Sequence, residues 1–326
     1  MTRGTGPAIY EGLHGGSIAK AYDPHFEVDY WPADAILGHP DFSEARRVYL
    51  DRVLALYGDD IFLNKLLVEA ARTVLFVVII CMEAGYREDD RETWPTIGNL
   101  KKALALFSLA SPRRIEQLVA RLVQTGFLES RVSSRDRRAR LLIPTARMME
   151  HDQDWLMTSY APLAELFGEA DYALPLRGDK AFQRAQRQVA TGFFVRSAMV
   201  LLRNPDIMLF LARDAGILVL VELAKEMGGR GTPTVGLSLA RLGRRFAVSR
   251  AHIRQLLAAA ETQELVVIDQ AQRRITLQPR LLESLDRFIA EGMSNHDLTG
   301  TVARRQCGLI QAGAGQPRGA GHSSMP

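Results

Sequence analysis

The sequence predicts a mainly α-helical protein with small β-hairpins, built as two successive copies of one helix-turn-helix-hairpin unit. Three observations predict it. The first is the run from Ser111 to Ile143, which reads as a capped helix, a glycine stop and a basic hairpin. The second is a repeat. Pro95-Thr96-Ile97-Gly98 recurs as Pro233-Thr234-Val235-Gly236, and the same offset of 138 residues, kept without a gap, sets Ser249 on Ser111, Ile253 on Ile115, Gln255 on Gln117 and Leu265 on Phe127. The third is composition: 47% of the 326 residues are apolar, enough for the cores of two ordinary domains.

The first unit is the more basic. Ser111 suits a helix N-cap, and Pro112 suits the first helical position, where its missing N–H would be unpaired in any case. Ile115, Leu118, Val119, Leu122 and Val123 then form one apolar stripe, with Arg113, Arg114, Gln117, Arg121 and Gln124 facing the other way. Gly126 ends the helix. Phe127-Leu128 starts a strand, Ser133 to Asp136 forms the loop, and Arg137 to Ile143 returns. This is the layout of a winged helix-turn-helix, whose second helix enters the DNA major groove while its hairpin, the wing, reaches phosphates or the minor groove. The net charge of the chain is only +4, but from Asn99 to Arg140 ten Lys and Arg stand against three acids.

Thr125-Gly126-Phe127-Leu128, the wing motif Asp136-Arg137-Arg138 and the close Leu142-Ile143-Pro144-Thr145 resemble the MarR family of bacterial transcription regulators over about one winged-helix unit. The resemblance implies that Arg138 sits at the minor groove, with Arg135 and Arg137 as neighbours. It also implies a homodimeric relative whose terminal helices form the interface, and a small aromatic effector bound between those helices and the winged helix, although no residue here marks such a pocket. The preceding helix, Asn99 to Phe107 with Lys101-Lys102, is less regular than the family pattern.

In chain order, residues 1–36 form an N-terminal arm in which glycines precede Tyr22, Phe26, Tyr30 and Trp31. The expectation is an arm packed on its own domain, with no signal-peptide pattern. Residues 37–165 are the first unit: helices over Phe42–Tyr57 and Ile61–Ala84, a charged loop from Arg87 to Glu92, the winged helix, and a closing helix from Thr145 to Tyr160 with Pro162 as its break. The run Val74 to Met82 is too short to span a membrane and reads as a buried core helix. Residues 166–293 repeat the plan with helices over Phe182–Leu202 and Ile207–Met227, a loop at Gly228-Gly229-Arg230-Gly231, and caps at Ser238 and Ser249. The second wing runs Leu265 to Ile268 and Arg273 to Leu277, and Pro279–Met293 closes the unit. From Ser294 to residue 326, Gly, Ala, Gln and Pro predict a disordered tail.

The DNA-binding candidates are Ser111, Arg113, Arg114, Gln117, Arg121, Arg135, Arg137, Arg138 and Arg140 in the first unit, and Ser249, Arg250, His252, Arg254, Gln255, Arg273 and Arg274 in the second. No catalytic, cofactor or metal set is expected: the seven histidines are scattered, and Cys81 and Cys307 offer neither a disulfide framework nor a zinc site. Glu150-His151-Asp152, the one tight acid–histidine cluster, reads as a solvated helix face. The expectation is a cytoplasmic, sequence-specific regulator of double-stranded DNA, not an enzyme. Assembly is either a monomeric pseudo-dimer reading two unlike half-sites about one helical turn apart, or a homodimer. A replication initiator, or a tandem winged-helix interaction scaffold, shares enough of the pattern to stand as an alternative.

Overall fold

A computed structural model describes residues 18–58, 60–228, 234–236, 238–306 and 308. They are mainly helical, with three small antiparallel sheets among them. The arm supplies a hairpin, β1 (Ala21–Asp23) and β2 (Val28–Tyr30), and a short α1 (Ala33–Leu37). Then α2 (Phe42–Tyr57) buries Ala45, Leu50, Val53, Leu54 and Tyr57 and ends at Gly58, as its periodicity predicts.

The helix expected over Ile61–Ala84 is two helices, α3 (Ile61–Leu67) and α4 (Ala70–Ala84). The apolar pattern runs through the break without a mark. Polar groups make it: Thr73 Oγ1 donates to the Leu67 carbonyl at 2.6 Å, and the Glu69 carboxylate caps α4 by accepting the Ala71 N–H. Among the described residues no helix is long and apolar enough to cross a membrane. The Val74–Met82 stretch is core, with Leu75, Val78, Ile79, Ile80 and Cys81 at most 1% exposed.

Thr96 caps α5 (Ile97–Ala105), which starts two residues before the expected position. Ser111 caps α6 (Pro112–Gln124), accepting the Arg114 N–H, and Gly126 leaves it at φ +75°, where a glycine is favoured. Strands β3 (Leu128–Val132) and β4 (Arg140–Pro144) pair with Leu128 opposite Pro144. Thr145 then caps α7 (Ala146–Phe167), in which Pro162 is buried inside the helix rather than ending it. A proline forfeits one backbone hydrogen bond, and the packing of α7 against α2 outweighs that loss.

The next segment is more broken than the sequence predicts. After α8 (Ala173–Leu176), the helix expected over Phe182–Leu202 is α9 (Lys180–Ala190) and α10 (Phe194–Arg203), separated by a 3-10 turn at Thr191–Phe193. The one expected over Ile207–Met227 is α11 (Pro205–Leu211) and α12 (Gly216–Gly228). Ala215 turns the chain at φ +54°, and Gly216 lies so near the Phe210 carbonyl that a Cβ would collide with it. Residues 229–231 of the expected glycine loop lie outside the described residues.

An unexpected strand, β5 (Thr234–Gly236), precedes α13 (Leu239–Phe246) and α14 (Arg250–Thr262). It joins β6 (Val266–Asp269) and β7 (Arg274–Leu277) in the order β5-β7-β6. The equivalent place in the first half makes one such bond, from Leu142 N–H to the Pro95 carbonyl at 2.7 Å.

The last helix corrects the expected tail. It runs as α15 (Pro279–Gln306), and within residues 294–306 Ser294, Asp297, Leu298, Thr299, Val302 and Ala303 are buried. They lie against α9 and the arm: Trp31 N–H donates to Asp297 at 2.7 Å, Phe26 stacks on Phe193, and Arg305 pairs with Glu27 at 3.2 Å. The described part of the arm is packed, with Trp31 stacked flat on Phe167 at 4.1 Å. The core continues from α2 through α7, α12, α4 and α9 to α15, so both halves share one apolar interior.

Candidate nucleic-acid interface

Two helices and two hairpins carry the basic candidates. Ile115, Val119 and Leu122 anchor α6 in the core, which turns Arg113, Arg114, Gln117, Arg121 and Gln124 outward. Val123, expected in the buried stripe, is 40% exposed instead, because the helix meets the core along a narrower strip. At the helix end Arg147, absent from the candidates, lies over the Phe127 ring at 4.4 Å and donates to the Thr125 carbonyl.

The β3–β4 hairpin is braced by the charged loop that precedes α5. Glu88 accepts from Ser134 Oγ at 2.9 Å and pairs with Arg135 at 3.1 Å; these hydrogen bonds hold its carboxyl below the ordinary glutamate value. Arg91 pairs with Asp136 at 2.9 Å, and Asp136 also accepts the Arg138 N–H. Arg135 is thus committed to the brace, whereas Arg137, Arg138 and Arg140 are exposed and have no ion-pair partner among the described residues. Glu88 and Arg91 left no mark as site residues in the sequence, since a charged loop looks alike whether solvated or bracing.

In the second half Ile253, Leu256 and Leu257 seat α14, leaving Arg250, Arg254 and Gln255 exposed. His252 is not free. Its Nε2 lies 2.9 Å from the Asp214 carbonyl, while its N–H meets the Ser249 cap. Arg273, at φ +50°, and Arg274 are exposed at the start of β7.

The two helices α6 and α14 are brought together by a chain of charges that sequence reading missed. Arg114 pairs with Glu69 at 3.1 Å, Glu69 with Arg72 at 3.4 Å, and Arg72 with Asp214 at 2.9 Å, the residue whose carbonyl meets His252. Beside this chain a groove of about 520 Å³ opens between α6, α3 and the α13–α14 turn. The one sequence signal for it was Glu69, an acid placed before an apolar run where an N-cap belongs.

One other expectation changes. Within Glu150-His151-Asp152 only Glu150 is exposed; His151 and Asp152 turn into the core. Asp152 takes a bidentate Arg187 at 2.6–3.1 Å, and both side chains are at most 4% exposed. Burial pushes His151 down to about 4, partly offset by Asp152. The cavity beside Tyr57, His151 and Trp155 is about 10 Å³, room for about one water.

In comparison with known proteins, no family model matches the chain, and neither a curated protein nor a solved structure does.

Proposed function

We propose that this chain is a sequence-specific, double-stranded-DNA-binding transcriptional regulator of two winged helix-turn-helix units. The observation that carries the reading is the set of exposed arginines without ion-pair partners among the described residues: Arg113 and Arg121 on α6, and Arg137, Arg138 and Arg140 on the adjoining hairpin. Leaving five guanidinium groups unpaired on neighbouring elements suits a polyanion and serves no packing purpose. In this reading α6 enters the major groove with Arg113, Arg114 and Gln117 at base edges, and the hairpin arginines follow phosphates or the minor groove. The second unit contributes Arg250, Arg254 and Gln255, with Arg273 and Arg274 on its shorter wing.

Internal duplication is part of the proposal. Its support is the constant offset of 138 residues, under which Pro112–Gln124 and Arg250–Thr262 correspond end to end. One chain then supplies both halves of a pseudo-dimer, with no cofactor. Half-sites one helical turn apart need recognition helices roughly 34 Å apart. That spacing does not suit a groove shared by α6 and the α13–α14 turn, so we assign one contiguous, asymmetric site. The testing measurement is binding to sequences selected from a random duplex pool, titrated with salt. Each neutralised phosphate lowers the slope of log K against log salt by about 0.9, so a slope of several units is expected. A slope near zero, with no preferred sequence, would instead favour an interaction scaffold.

A further inference from the structure

We propose that the groove between α6 and the α13–α14 turn is a second binding site, for a small phosphate-bearing anion of nucleotide size. Its volume of about 520 Å³ is that of a small-molecule site. Lys65, Arg72, Arg114 and Arg121 line it against a single lining acid, Asp214. Counting Glu69, which pairs with Arg72 and Arg114, the four cations still exceed the two acids by two, so the groove favours an anion. Lys65 and Arg121 have no ion-pair partner among the described residues, and guanidinium forks suit phosphate oxygens. Gln117 and Gln124 add amide donors and acceptors, while Leu118 and Val248, both partly buried, offer apolar surface for the rest of the molecule. Arg72, with its side chain only 18% exposed, lies at a depth that a small anion reaches and a duplex backbone does not.

The consequence for regulation rests on the DNA-binding reading. Arg114, Gln117 and Arg121 belong to both sites, so the anion and DNA compete for them, and the anion releases the protein from DNA.

The test is calorimetric titration of the full chain with adenosine triphosphate as the probe, at constant ionic strength, followed by titration of duplex DNA with and without it. One molecule should bind per chain. Affinity should fall at least tenfold in the Lys65→Gln/Arg121→Gln double variant, whose two sites are exposed and whose fold is checked by circular dichroism. It should be unchanged in Arg184→Gln, which removes an exposed cation outside the groove. Adenosine triphosphate should also weaken the DNA complex of the parent chain. Absence of binding, binding that survives the double variant, or equal loss in Arg184→Gln overturns the proposal. So does a groove that duplex DNA requires and the triphosphate does not, since its cations would then belong to the DNA path. Failure of the DNA-binding reading shows itself separately, as no DNA complex in the absence of the probe, and leaves the calorimetric result standing.

Discussion

Arg114 and Arg138 differ in what holds them, and that difference predicts different losses. Arg114 leans on Glu69 beside the N-terminus of α6, whereas the Arg138 side chain, on a braced loop, has no ion-pair partner among the described residues. Arg114→Ala should cost about 1–3 kcal/mol on the selected sequence and relax the preference for it, as loss of a bidentate base contact does. Arg138→Ala should weaken selected and random DNA alike. Fluorescence anisotropy on both duplexes reads the two patterns; an equal loss for both variants on both duplexes would contradict the assignment. In the interior, Asp152 and Arg187 are joined with almost no solvent, so Asp152→Ala strands a guanidinium. Urea denaturation should show a loss of about 3–5 kcal/mol, far above that of breaking an exposed pair such as Arg131–Glu129.

At the scale of elements, α15 makes the sharpest claim. Leu298 is fully buried, in the stretch whose composition predicted a tail. Leu298→Ala should cost about 2–5 kcal/mol by urea denaturation and expose the arm to proteolysis, because the arm packs on that stretch. A change below 0.5 kcal/mol would show α15 to be dispensable past Met293. The same helix shows what was legible in the sequence. α6 is readable because cap, apolar spacing and glycine stop lie close together and agree, and α14 shares its cap and spacing, although Glu264, at φ +57°, stands where α6 has Gly126. The helix past Met293 is not legible because Asp297 and Thr299 look solvent-loving until Trp31 and Gln186 supply their partners from far along the chain. The splits at Val68 and Ala215 were hidden for a related reason: a continuous apolar pattern says what is buried, not where the backbone turns. The basic candidates were legible by type. Which of them are free and which are braced was not, since Glu88, Glu69 and Asp214 approach from other elements.

For the whole molecule, pH is the informative variable. Burial lowers both His151, on α7, and His296, on α15, to about 4. Each is neutral in the fold and ordinary, near 6.5, in the unfolded chain. Their contribution is therefore full above pH 6.5 and is lost as pH falls from 6.5 toward 4, on the order of 3 kcal/mol apiece at the acid end. Urea midpoints between pH 7 and 4 should fall steeply, and His151→Gln should flatten part of the fall if the variant stays folded at pH 7. A midpoint constant over that range would contradict the two buried neutral rings.

The clasp between the arm and α15 has a bearing on how this molecule is to be cut and rejoined. Glu27 and Arg305 touch, so positions almost three hundred residues apart in the chain are neighbours in space, and the path between them closes into a loop. A loop can be opened anywhere without changing its contents. Joining the arm to the end of α15 through a linker and starting the chain afresh in the exposed turn at residues 168–170, after α7, should therefore yield a permuted protein that still folds. Because that opening lies between them, permutation would also place α14 before α6 along the chain while leaving the groove beside them as it is.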